Sequence, residues 1–84
     1  MSYTATFSRF DDGRIAEIFL SNHKTGSHAD TAARDSAVVA SLAFGYGAPL
    51  DVVRKALLRD PRGVAPGPLG AALDLISKLD GGGA

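Results

Sequence analysis

The chain has 84 residues, with nine Lys and Arg, nine Asp and Glu, two His and no Cys. A globule of this size buries only about 60–65% of the surface that its unfolded chain exposes, so we expect one domain with a small core. Zero net charge argues against a broad basic surface for an extended nucleic acid, and the missing cysteines exclude disulfides and thiolate metal sites. With only two imidazoles, we expect no metal, and we expect no cofactor. No apolar run approaches the ~20 residues of a membrane span, so we expect a cytoplasmic location.

An antiparallel hairpin is predicted at the start of the chain. Polar and apolar residues alternate from Tyr3 to Phe10, as in a half-buried strand. Asp12-Gly13 then predicts a type I′ turn into a second strand. Counting back from a two-residue loop gives the expected pairs: Phe10 with Ile15, Ser8 with Glu17, Phe7 with Ile18 and Ala5 with Leu20. One face of the ribbon would then carry five apolar residues: Ala5, Phe7, Ala16, Ile18 and Leu20.

The second face of this ribbon is also partly apolar. Phe10, Ile15 and Phe19 fall on it, and a lone two-stranded ribbon is marginally stable and has two open edges. We therefore predict a homo-oligomer in which a second copy joins the ribbon edge to edge or stacks on this face. The alternative is that loops or helices of the same chain cover the face.

Three helices are predicted to follow, which gives an α+β fold. The first begins near Asp30 or Thr31 as N-cap, with Ser27 as a further candidate, and runs to about Phe44. Its buried face is rich in alanine, and Gly45-Tyr46-Gly47 ends it.

The second helix is predicted from about Leu50 to Arg59. Its inner stripe comprises Leu50, Val53 and Leu57, and its outer residues comprise Arg54, Lys55 and Arg59. Prolines and glycines from Asp60 to Pro68 indicate a loop. The third helix, Leu69 to about Leu79, has an apolar stripe of Leu69, Leu73, Ile76 and Leu79. Residues 1–80 would form a single domain and residues 81–84 a flexible tail.

Several short segments are distinctive in this order: Asp12-Gly13-Arg14, Glu17-Ile18-Phe19, His23-Lys24 with Gly26, then Gly45-Tyr46-Gly47 and Pro49-Leu50. With them the chain resembles the TSCPD domain over roughly residues 3–58. This domain, named for a Thr-Ser-Cys-Pro-Asp sequence, occurs at the C-terminal end of some cobalamin-dependent ribonucleotide reductases and as small stand-alone proteins. The chain lacks that segment and every cysteine, whereas the reductase reaction needs a thiyl radical and a dithiol pair. The resemblance therefore implies an accessory module without catalytic activity.

The candidate ligand site is the junction between the second strand and the first helix. Backbone N–H groups at a helix start, beside a lysine, two imidazoles and hydroxyl groups, would form a seat for a phosphate. The predicted ligand-binding residues are His23, Lys24, Gly26, Ser27, His28, Thr31 and Arg34. In the alternative interpretation His23 orders the loop by bonding a carbonyl, Lys24 is solvated, and Arg34 pairs with Asp30 or Asp35. On the hairpin, Arg14 would pair with Asp11.

Catalytic residues are not expected. The histidine nearest to Glu17 lies six residues further on, and no serine has the context of a nucleophile elbow. We expect a binding module for a nucleotide or another phosphate-bearing small molecule, which would regulate a reductase or act as a phage protein that sequesters a signalling nucleotide of host immunity. The alternative is a protein-interaction module for a reductase subunit or a host defence protein, with no small-molecule ligand.

Overall fold

The computed structural model describes residues 3–24 and 26–80. It confirms the α+β fold, in which a two-stranded antiparallel hairpin precedes three helices. The elements are β1 (Tyr3–Arg9), β2 (Ile15–Asn22), α1 (His28–Gly45), α2 (Leu50–Ala56) and α3 (Pro68–Leu79). The predicted tail, residues 81–84, lies outside the described residues. Within the described ranges, none of the helices has the length and apolar character needed to cross a bilayer.

The hairpin turn differs from the predicted one. The N–H of Phe10 donates to the carbonyl of Arg14 (2.8 Å), and the N–H of Gly13 donates to the carbonyl of Phe10 (2.9 Å). The loop therefore has three residues, and Gly13 takes a left-handed φ of 91°, as loops of this length require. The type I′ prediction is wrong. So is the predicted partner of Arg14, because its Nε donates to the carboxylate of Asp12 (2.7 Å) and not to Asp11.

The strand register is confirmed from Ala5 to Ser8 and changes beyond it. Ser8 faces Glu17 as predicted, but Arg9 rather than Phe10 faces Ile15, so a bulge leaves Ala16 without an opposite residue. The bulge reverses the alternation of side chains along β2. As a result Ile15 turns into the core, where it is 5% exposed, and the prediction that placed it on the outer face is wrong.

Helix α1 packs against β2 through small side chains. Its buried hydrophobic residues recur at the predicted spacing: Ala33, Ala37, Ala40 and Phe44. Because alanine allows close approach, the hydroxyl of Ser41 reaches the backbone of β2. It accepts from the N–H of Ile18 (2.9 Å) and donates to the carbonyl of the same residue (3.0 Å). The helix ends, as predicted, before a left-handed glycine, Gly47.

Helix α2 and the segment after it form the outer part of the molecule. α2 ends at Ala56, earlier than the predicted Arg59, because Leu57 has an extended backbone conformation. The helix contains no buried residue. Leu50, Val53 and Leu57 pack partly buried against the core, which confirms the predicted inner stripe.

Two arginines join this outer segment to α3. Arg59 donates to both carboxylate oxygens of Asp74 (2.7 and 2.8 Å), and Arg54 donates to one of them (3.3 Å). Hydrogen bonds from Arg59, and then from Arg54, lower the pKa of Asp74. The prediction that both arginines point into solvent is therefore wrong.

Helix α3 begins at Pro68, which occupies its first turn as predicted. Leu69, Leu73 and Ile76 lie in the core, but Leu79 is 73% exposed, which corrects the predicted stripe. The helix extends beyond the core here, where its following residue, Asp80, pairs with Arg9 at the end of β1 (2.6 Å).

Candidate functional site

The loop between β2 and α1 is ordered by its own polar groups. The side-chain carbonyl of Asn22 accepts from the N–H of Lys24 (2.8 Å). Ser27 is the N-cap of α1, and its hydroxyl accepts from the N–H of Asp30 (3.1 Å) and donates to the carbonyl of Lys24 (2.8 Å). Of the three predicted caps, the structure selects Ser27 and rejects Asp30 and Thr31. The hydroxyl that was expected to contact a ligand is thus engaged within the loop.

A buried carboxylate, that of Asp30, lies at the centre of this loop. It accepts from the N–H groups of Asn22 (2.9 Å) and Gly26 (3.1 Å) and from Nε of Arg34 (3.0 Å). The two backbone hydrogen bonds, then that from Arg34, lower the pKa of Asp30 despite its burial. The carboxylate therefore engages the N–H of Gly26, one of the predicted ligand-binding residues.

The remaining predicted residues surround this centre on the surface. The side chains of His23, Lys24, His28 and Thr31 are exposed or half-buried at most, and within the described part of the chain none of them makes a hydrogen bond or ion pair. The predicted bond between His23 and a carbonyl is accordingly not seen there. Gly26 adopts a left-handed φ of 82° and turns the chain into α1.

Arg34 connects the loop to a groove between β2 and α1. Its Nε is held by Asp30, which confirms one of the two predicted partners, and its side chain is 54% exposed. Neither terminal guanidinium nitrogen has an acceptor among residues 3–24 and 26–80. The carboxylate of Asp30 thus fixes Nε of a cationic group whose two terminal nitrogens have no acceptor among the described residues.

The groove itself has a volume of about 270 Å³. Arg34 and Glu17 are its charged residues, and its exposed apolar residues are Phe19, Val38 and Leu42, which are 57–59% exposed. An exposed aromatic ring beside an arginine and a carboxylate offers stacking, anion binding and hydrogen-bond acceptance in one place. Sequence reasoning identified Arg34 but not the groove, because Phe19, Val38 and Leu42 come together only when α1 packs on β2.

A second, larger groove lies between the alanine face of α1 and the start of α3. It measures about 500 Å³ and is lined by Tyr3, alanines of α1, Leu57, Leu58 and residues 66–70, with no charged side chain. A ligand carrying a phosphate would find no cation there. In the described part of the chain, no three metal-binding side chains come together.

Comparison with known proteins gives one partial similarity. No protein-family model matches the chain, and no solved structure matches it significantly. Over 42 residues, half of this chain, it is 43% identical to a vitamin B12-dependent ribonucleotide reductase from Bradyrhizobium diazoefficiens. That stretch spans 3% of the length of the reductase. The chain is therefore similar to one small region of a ribonucleotide reductase.

Proposed function

We propose that the protein is a non-catalytic binding module that holds a nucleotide, or a similar phosphate-bearing small molecule, in the groove between β2 and α1. The observation that carries this proposal is the guanidinium of Arg34, which Asp30 holds at Nε while its outer nitrogens remain open at an aromatic groove. Arginine binds phosphate through two parallel hydrogen bonds, and this geometry suits such a contact.

The other groove residues match the rest of a nucleotide. The ring of Phe19 provides a face for stacking a base, while Val38 and Leu42 supply apolar contact. Glu17 can accept hydrogen bonds from ribose hydroxyl or base amino groups. A volume near 270 Å³ lies just below the usual ~300–1,000 Å³ for ligand sites, so a mononucleotide fits better than a dinucleotide.

The predicted loop residues take a secondary role in this proposal. Because Asp30 takes the N–H groups of Asn22 and Gly26, the loop would contribute side chains: Lys24 by its charge, and His23 and His28 as hydrogen-bond donors to the phosphate. The similarity to an enzyme of ribonucleotides supports the ligand class. Such a module would regulate a reductase or sequester a nucleotide.

The test is a thermal-shift and calorimetry panel of ribonucleoside mono-, di- and triphosphates, with inorganic phosphate alone as reference. A ligand at 100 times its Kd adds about 2.7 kcal/mol, which corresponds to a rise of roughly 10–20 °C in Tm for a chain of this size. Arg34→Gln should abolish the shift, because it removes the charge but keeps a donor for Asp30. Arg62→Gln is the matched control, since Arg62 is 82% exposed and lies outside the groove.

A second pair of variants separates the aromatic contact from general damage. Phe19→Ala should weaken nucleotide binding, whereas Phe10→Ala, an exposed phenylalanine of the same hairpin outside the groove, should not. If no nucleotide raises Tm, or if inorganic phosphate alone gives the full effect, the proposal fails.

A protein ligand is the second candidate, and one observation favours it. Phe19, Val38 and Leu42 together form an apolar patch that a monomer would expose to water. In this reading the module docks on a ribonucleotide reductase subunit or a host defence protein. Binding of a purified reductase subunit that Phe19→Asp abolishes, with no response to any nucleotide, would select this candidate.

A further inference from the structure

The rest of the fold covers one outer edge of the hairpin, that of β2, and leaves the other, that of β1, exposed. On β2, the hydroxyl of Ser41 binds the N–H and carbonyl of Ile18, and the carboxylate of Asp30 binds the N–H of Asn22. These contacts cover the edge with side chains of α1. Six of the seven residues of β1, by contrast, are exposed.

The contacts of Ile18 show which backbone groups of β1 point outward. In an antiparallel pair, opposite residues alternate between those that bond each other and those whose N–H and C=O both point away. Ile18 faces Phe7 and uses both groups on its far side, so Phe7 also points its N–H and C=O away from β2. The same alternation applies to Ala5, which faces Leu20. Within the described residues neither of these outward sets has a partner.

We propose that β1 pairs with β1 of a second copy, antiparallel and around a two-fold axis at Thr6. This register sets Ala5 opposite Phe7 of the second copy and Phe7 opposite Ala5, so that the outward backbone groups bond each other. The result is a four-stranded sheet in the order β2, β1, β1, β2. The inference does not depend on the proposed ligand.

Side chains support the same register. On one face Thr6 meets Thr6 and Thr4 meets Ser8, which places hydroxyl groups opposite one another. On the other face the small Ala5 lies opposite the large Phe7. No charged residue occurs from Thr4 to Ser8, so no like charges are opposed. The segment also lacks the lysine and proline that usually protect an edge strand.

The contact area indicates a reversible dimer. Five paired residues at ~3.4 Å each give a contact about 17 Å long. A strip of that length and one sheet layer wide, ~10 Å, covers on the order of 170 Å² on each copy, far below the ~1,200–2,000 Å² buried in stable interfaces, so the dimer should dissociate on dilution. Native mass by light scattering should rise from one chain to two with concentration, in the absence of any nucleotide.

Single-cysteine variants test the register directly, because the natural chain contains no cysteine. Opposite Cα atoms of a pair that does not share backbone bonds are ~4.5 Å apart, which lies within the ~4.4–6.8 Å span of a disulfide. Thr6→Cys should therefore form a covalent dimer under mild oxidation. Thr4→Cys is the matched control on the same face and should form no covalent dimer by itself, although its non-covalent pairing should persist. A mixture of Thr4→Cys and Ser8→Cys should cross-link between the two variants.

A further variant removes the pairing without touching the hairpin. In Ala5→Pro the lost N–H is an outward one, so cooperative unfolding should persist while the dimer disappears. A wild-type chain that stays monomeric at every concentration overturns the inference. The outer edge of β1 would then be a site for a different protein. Equal cross-linking of Thr4→Cys and Thr6→Cys overturns the register.

Discussion

The bridge from Ser41 to β2 gives a quantitative prediction. Ser41→Ala removes both hydrogen bonds to Ile18 and leaves the N–H of that residue without an acceptor at a partly buried position. An unsatisfied backbone group costs ~1–3 kcal/mol, while the better helix propensity of alanine returns up to about 0.5 kcal/mol. We expect a net loss of ~1–2 kcal/mol, which is a fall of ~4–16 °C in Tm for a chain of this size.

Ser36→Ala is the matched control on the same helix. The hydroxyl of Ser36 donates to the carbonyl of Ala33 within α1 (2.8 Å) and makes no bond to the hairpin. Its removal should change stability by less than about 0.5 kcal/mol. Urea and thermal unfolding followed by circular dichroism compare the two variants. Equal stabilities would show that the bridge between α1 and β2 adds nothing, and the explanation of the covered β2 edge would be wrong.

Two glycines and one acid extend these tests. Gly70 is buried in α3, where an added Cβ would lie 2.8 Å from Cβ of Ala65, so Gly70→Ala should lower stability by ~1–3 kcal/mol in urea unfolding. The same change at Gly45, where a Cβ meets nothing, should raise stability by about 0.5–1 kcal/mol, and a gain at both positions would contradict the packing at Gly70. Folding lowers the pKa of the Asp30 carboxyl. Its contribution to the stability of the fold is therefore fully present above the ordinary pKa of 3.8, and it is lost as the pH falls through the lower pKa of the folded protein. Asp30→Asn should therefore flatten the dependence of Tm on pH between roughly pH 5 and pH 2, and Asp35→Asn should not; a profile unchanged by the first substitution would refute the role given to Asp30.

Local patterns in the sequence predicted most of the architecture. Alternation located β1, the Asp12-Gly13 turn predicted the second strand, the alanine spacing located the buried face of α1, and Pro68 marked the start of α3. Each of these patterns depends only on residues that are close together in the sequence. The turn was wrong because Asp12-Gly13 suits both a two-residue loop and a three-residue loop with a bulge. Nothing local distinguished the two, and the error moved Ile15 to the wrong face.

Interactions between distant residues could not be read from the chain. The bonds from Arg59 to Asp74 and from Arg9 to Asp80 join residues 15 and 71 positions apart. The site shows the same limit. Arg34 was predicted with one of its correct partners, but the central role of Asp30 depends on the return of Asn22 and Gly26 to the start of α1. Spacing alone offered Asp30 only as a cap or as a surface ion pair.

The outer segment, residues 50–67, rests on few contacts, and this determines where the fold gives way first. α2 has seven residues and none is buried. It is held in place by the partly buried side chains of Leu50, Val53 and Leu57 and by the arginine contacts to Asp74. Asp74 retains a quarter of its side-chain exposure, and ionic strength therefore weakens its attraction to both arginines. Local unfolding can release this segment while the hairpin, α1 and α3 stay folded, because the fully buried side chains belong to those elements. We therefore expect the outer segment to detach before the rest of the molecule unfolds, and to detach more readily as the salt concentration rises.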